Sequence, residues 1–149
     1  MKRHILTLIT SLIAIIPLAA QTGYHVNVVF TSDNSVLRKA DRVLIDGGDE
    51  LKQRGLRRYH SISVENNAEV ISMIERNVEA DMKNASDKEV RHLAGQLYEA
   101  LLCMSHGKHK YNYIYYRNNT LRAGNTPRVT LIYMEGNLNI SQMRQMFKK

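Results

Sequence analysis

Tyr111-Asn-Tyr-Ile-Tyr-Tyr-Arg117, followed after a turn-rich break by Arg128-Val-Thr-Leu-Ile-Tyr-Met134, is the stretch on which the fold turns. Both segments are dense in aromatic and β-branched residues, which suit a pleated, half-buried surface. Between them lie Asn118-Asn119, Gly124-Asn125 and Pro127, which supply turn chemistry, so the pair reads as an antiparallel hairpin. Side chains alternate along a strand. Tyr111, Tyr113 and Tyr115 therefore share one face, and Ile114 and Tyr116 the other. Glu135-Gly136-Asn137 closes the hairpin, and Asn139 caps a last amphipathic helix bearing Ile140, Met143, Met146 and Phe147.

Upstream, the clearest helix runs from about Asn67 to Lys83. Asn66 and Glu69 have capping-box spacing, and Val70, Ile71, Ile74, Val78 and Met82 recur as one apolar stripe. Arg57 to Glu65 alternates as a strand whose Ile62 and Val64 enter the core. Val43-Leu44-Ile45 is a short strand stopped by Asp46-Gly47-Gly48, with a helical turn from Asp49 to Arg54. Residues 24–30 alternate well enough to predict a first strand with Val26, Val28 and Phe30 on one face. Residues 87–104 support two readings. Ser86 and Glu89 again have capping-box spacing, and Val90, Leu93, Leu97, Leu101 and Met104 fit a helix. Gly95 interrupts it, however, and Gln96 to Met104 fits a buried strand equally well.

The first twenty residues read as an address. Met1-Lys-Arg-His4 is a basic start, Ile5 to Leu18 is apolar or small, and Ala19-Ala20 precede Gln21, the three-part pattern of a secretory signal peptide. The apolar run is short for a membrane anchor and carries Pro17 near its end, so cleavage near Ala20 is expected and no stable membrane span after it. Residues 21–149 then form a single domain. Losing Lys2 and Arg3 with the leader lowers the formal charge from +7 to +5, a modestly basic surface. Cys103 is the only cysteine and cannot make an internal disulfide; within Leu101-Leu102-Cys103-Met104 it reads as a small core residue. Export to a periplasm or cell surface also argues against nucleotide chemistry and nucleic-acid partners.

Local motifs point away from catalysis. Gly47-Gly48-Asp49-Glu50 matches the start of the diguanylate cyclase GGDEF signature, but Leu51 stands where that signature has Phe, and the domain is too short; it reads as a turn entering a helix. His106-Gly-Lys-His109 pairs two histidines, yet the glycine and flanking lysines suggest an exposed turn, and no metal is expected. Neither a nucleophile elbow nor a zinc-protease helix motif occurs, and no cofactor is expected. The candidate binding residues are Tyr111, Tyr113, Tyr115 and Arg117, because an aromatic row ending in a cation can stack and hold a ligand. The alternative, which the residues favour, is that one face of this strand lines the core beneath a helix and the other carries amphipathic tyrosines.

Gly95-Gln-Leu-Tyr98, Tyr59-His-Ser-Ile-Ser63, the tyrosine strand and Leu131-Ile-Tyr-Met-Glu-Gly136 resemble small exported proteins of Bacteroidota in uncharacterised families, domains of unknown function. That resemblance implies an α+β domain in the cell envelope and transfers no active-site residue. The expected fold is α+β, a mostly antiparallel sheet with a C-terminal meander of strands near 95–104, 110–117 and 128–134. The sheet packs on helices 67–83 and 139–148, with one face covered and the other partly wet. The expected function is a non-enzymatic envelope module for a protein, peptide or glycan. The alternatives are a small periplasmic hydrolase built from dispersed residues, and assembly through an exposed edge strand or the last helix.

Overall fold

The computed structural model describes residues 23–148, so the signal-peptide reading of residues 1–20 lies outside the described residues. Two short helices, α1 (Asn27–Thr31) and α2 (Ser35–Arg38), lead into β1 (Asp41–Asp46). α3 (Asp49–Gln53) and β2 (Leu56–Glu65) follow, then the long α4 (Ala68–Met82). A meander of β3 (Asp87–Leu93), β4 (Gln96–Ser105), β5 (Tyr111–Asn118) and β6 (Arg128–Gly136) ends in α5 (Ile140–Phe147). The six strands form one sheet in the order β1-β2-β6-β5-β4-β3, antiparallel at every pairing. This is an α+β domain. α4 carries the chain from β2 to the far edge, and the meander walks back until β6 lies beside β2.

The two main helices lie on opposite faces. Val70, Ile71, Ile74 and Val78 of α4 pack with Ile62, Val64, Leu102, Ile114, Tyr116, Leu131 and Tyr133. Each such buried side chain contributes about 1.5–3 kcal/mol of hydrophobic stabilisation. Asn67 rather than Asn66 caps α4, its side chain accepting the Val70 amide. On the other face Met143 of α5 meets Leu101, Cys103, Tyr113, Tyr115 and Met134, with Leu51 and Leu56 beside them. α5 begins with a full capping box between Asn139 and Gln142.

One local expectation is corrected, and one open reading is decided. Residues 24–30 are not a strand; they enter α1, with Val26, Val29 and Phe30 buried and Val28 exposed. The buried set has i, i+3, i+4 spacing, and the acceptor for the amides entering α1 comes from a distant residue. Asp81 of α4 accepts the His25 and Val26 amides at 2.8 and 2.9 Å. Of the two readings of residues 87–104 the strand is the one observed from Gln96 onward, and residues 87–93 add its partner strand in a second hairpin. β3 and β4 join through Ala94-Gly95, both at positive φ (51° and 77°), the backbone of a two-residue primed turn.

Candidate functional site: a cationic cleft beside the C-terminal helix

Most of the predicted tyrosine row is a helix seat. Tyr113 is fully buried and its hydroxyl donates to the Leu138 carbonyl. The Tyr115 ring lies flat on Phe147 of α5, with centroids 3.9 Å apart and planes within 6°. Tyr111 is half-buried beside a separate shallow hollow near His109 and Leu138. Only the Arg117 end of the row opens outward. The structure therefore brings Tyr115 and Arg117 into one place and leaves Tyr111 and Tyr113 out of it.

That place is a cleft of about 660 Å3 between the β3–β5 face, the loop after β5 and the end of α5. Its apolar floor is Leu101, Tyr115 and Phe147; its rim carries Arg91, Arg117, Arg122, Arg144 and Lys148 against the carboxylates Glu89 and Glu99. Register explains the convergence. Arg91 lies opposite Glu99, and Glu99 opposite Arg117, so three strands place their charges in one cross-sheet row.

Glu99 is the hub of that row. It accepts from Arg91 at 2.8 Å and from the Tyr115 hydroxyl at 3.0 Å, and Arg117 stands 3.8 Å away. Arg144 pairs with Glu89, tying α5 to β3. Among the described residues no carboxylate pairs with Arg122 or Lys148. The cleft therefore keeps a positive excess after its internal pairs are made. Burial, with Glu99 adding to it, pushes the Tyr115 phenol up to about 12, so it stays a neutral donor to that carboxylate.

A bulge sharpens the cluster. Arg91 pairs with Glu99 but His92 pairs with Leu97, leaving Tyr98 as the extra residue of β4. A bulge re-aims a side chain out of strict alternation. The buried Tyr98 ring sits among the guanidiniums of Arg91, Arg117 and Arg122, at 5.3, 5.5 and 5.8 Å from its centroid. Its hydroxyl accepts from Arg117 at 2.9 Å and Arg122 at 3.3 Å. Burial pushes the phenol up, but the hydrogen bonds from Arg122 and Arg117 outweigh it and hold Tyr98 below its ordinary value. Asn119 accepts from Arg117 Nε at 2.9 Å, fixing the guanidinium plane. Tyr98, Arg91, Glu99, Arg122 and Arg144 were not visible as a set in the sequence. An Arg91–Glu99 pairing across Ala94-Gly95 would have followed only from recognising that hairpin.

The other motifs resolve structurally. Gly47 and Gly48, at φ 76° and 98°, form the turn into α3. His106 and His109 lie in an exposed turn, with His106 Nε2 2.6 Å from the Tyr24 hydroxyl. Cys103 is buried, and burial pushes its thiol up to about 11, far from a reactive thiolate. His25 Nδ1 is 2.9 Å from Asp81 Oδ1, the distance of a catalytic His–carboxylate pair. That carboxylate is spent on the His25 and Val26 amides ahead of α1, and among the described residues no hydroxyl or thiol contacts the imidazole. No helix among them is long and apolar enough to cross a membrane.

A family model for a domain of unknown function matches residues 13–147, nearly the whole chain. The chain belongs to the DUF6108 family. No curated protein matches it. Membership in DUF6108 thus brings no catalytic residue to the cleft, and the cleft's chemistry rests on the side chains that line it.

Proposed function

We propose that this DUF6108 protein is an exported, non-enzymatic binding module of a Bacteroidota-type cell envelope, and that its cleft takes the negatively charged group of an envelope peptide or glycan. The observation that carries this reading is the excess of cations over a small apolar floor. Five basic side chains face two carboxylates, and Arg122 and Lys148 lack an acidic partner among the described residues. Arginine forks match carboxylate and phosphate oxygens, and a site already rich in fixed donors loses little entropy on binding. The Tyr115–Phe147 floor would meet the apolar face of the ligand, such as a sugar ring or an aliphatic side chain. The leader-like Met1–Ala20 supports the envelope location.

Two experiments test this. Cell fractionation with N-terminal sequencing should find the protein in the envelope beginning at or near Gln21; uncleaved cytosolic protein overturns the location. Calorimetric titration with a uronate-containing disaccharide, an acidic dipeptide and a neutral disaccharide of similar size tests the ligand. Binding of an acidic probe but not the neutral one, weakened by salt and by Arg122→Ala, is expected. Equal binding of acidic and neutral probes, or indifference to Arg122→Ala, contradicts the reading.

A further inference from the structure

The sheet has two free edges, and they are built differently. β3 reads Asp87-Lys-Glu-Val-Arg-His-Leu93 and carries the Tyr98 bulge at its pairing with β4. Charge and a bulge are the devices by which edge strands avoid pairing with other chains. β1 has neither protection at its centre. All six of its residues are exposed, its register with β2 is unbroken, and its middle is Val43-Leu44-Ile45 at 48%, 65% and 41% exposure. Among the described residues no strand pairs with its outer side.

The direction of the free backbone groups limits what can dock there. The Gly47 amide donates to the Arg57 carbonyl, so Gly47, Ile45, Val43 and Asp41 face β2, while Arg42, Leu44 and Asp46 aim their amides and carbonyls outward. An antiparallel second copy must therefore set these three residues against their own kind. A two-fold axis through Leu44 does so, placing Leu44 opposite Leu44, Val43 opposite Ile45, and Arg42 opposite Asp46 on both sides. An axis through Val43 instead sets Asp41 against Ile45 and Arg42 against Leu44. An axis between Val43 and Leu44 confronts Asp41 with Asp46 and misaligns the backbone donors. Charge agrees with the first register. The Arg42 guanidinium donates to the carbonyls of Phe30 and Leu37 at 2.7 and 2.9 Å, and no carboxylate pairs with it among the described residues. Asp46 already accepts from Arg58 of its own chain at 3.1 Å, but its side chain is 65% exposed, which leaves carboxylate lone pairs for a second guanidinium.

We propose that β1 is a self-complementary docking edge, and that two copies of this chain join there, antiparallel about Leu44, into one continuous sheet. The cleft lies towards the opposite edge of each sheet, so the dimer presents two clefts at the far ends of one continuous sheet, on the same face.

The test uses protein purified from the cell that processes it. Sedimentation velocity over the micromolar range should give twice the 17.1 kDa chain mass, less any processed leader. Leu44→Lys should raise the dissociation constant by more than about tenfold, because it sets like charges face to face. Its circular dichroism should be unchanged, since the side chain is exposed. Under oxidising conditions Leu44→Cys should form an intermolecular disulfide, because hydrogen-bonded antiparallel partners lie about 5.5 Å apart at Cα, within disulfide reach. Val43→Cys should not, being diagonal to its own copy at about 7–8 Å. A monomer across the range, a dimer indifferent to Leu44→Lys, or crosslinking through Val43→Cys in place of Leu44→Cys overturns the proposal.

Discussion

Replacing Asp81 by alanine should loosen the start of the domain more than any change at the exposed residues around it. Asp81 is only 3% exposed, and its two oxygens accept the His25 amide at 2.8 Å, the Val26 amide at 2.9 Å and His25 Nδ1 at 2.9 Å. Val26 is fully buried, so Asp81→Ala leaves its amide without water or an acceptor. An orphaned buried donor costs about 1–3 kcal/mol, and the half-exposed His25 contacts add about 1 kcal/mol. Releasing a buried carboxylate from its own desolvation offsets part of that. The net expectation is a loss of about 2–3 kcal/mol, which in a domain of this size lowers Tm by roughly 6–12 °C. His25→Ala removes only the side-chain contact and should cost less than about 0.5 kcal/mol. Urea denaturation measures both variants. Hydrogen exchange should show faster exchange confined at first to residues 24–31, because that segment loses its tie to α4. An Asp81→Ala protein within about 0.5 kcal/mol of wild type, with residues 24–31 still protected, would refute the claim that this carboxylate anchors the entry into α1.

Gly136→Ala should destabilise by about 1–3 kcal/mol in chemical denaturation, because the new methyl would run into the Gly55 carbonyl oxygen and lie 2.9 Å from Leu56 Cδ2, and backbone yields little. Cys103 should resist Ellman's reagent in the folded protein and react on unfolding, since burial holds the thiol protonated. His60 lies against Phe30 with ring centroids 4.2 Å apart, and burial, aided by Arg42 and Arg58, holds its pKa below the ordinary 6.5. Between the two values the unfolded chain binds the extra proton, so stability should rise with pH up to about 6.5 and fall below it. His60→Gln should flatten that part of the pH–stability curve.

The legible parts of the fold were those whose determinants are local. The tyrosine strand and its partner announce a hairpin through composition and intervening turn residues, and α4 and α5 through caps and apolar stripes. What stayed hidden depends on residues distant in the chain. Residues 24–30 suit a strand by alternation, yet become α1 because Asp81, some fifty-five positions on, accepts the incoming amides. β3 is masked because this edge strand carries charge on both faces, and because Ala94-Gly95 forms the primed turn without the Asn-Gly signature that would announce it. The candidate site shows the same division. Arg117 and Tyr115 were readable as neighbours on one strand face. Arg91, Glu99 and Arg122 join them only through register, a bulge and a loop return. The burial of Tyr113 and Tyr115 followed from α5 packing on that face instead of beside α4.

Arginine side-chain NMR tests the anion-binding cleft most directly. With the Nε resonances of Arg117 and Arg122 assigned, titration with the uronate-containing disaccharide should shift both with one common midpoint, together with the Tyr115 ring signals, while Arg42 and Arg57 stay still. Shifts spread over the basic surface with no common midpoint, or an unmoved Arg117 and Arg122 at saturating acidic peptide and glycan, would contradict the account.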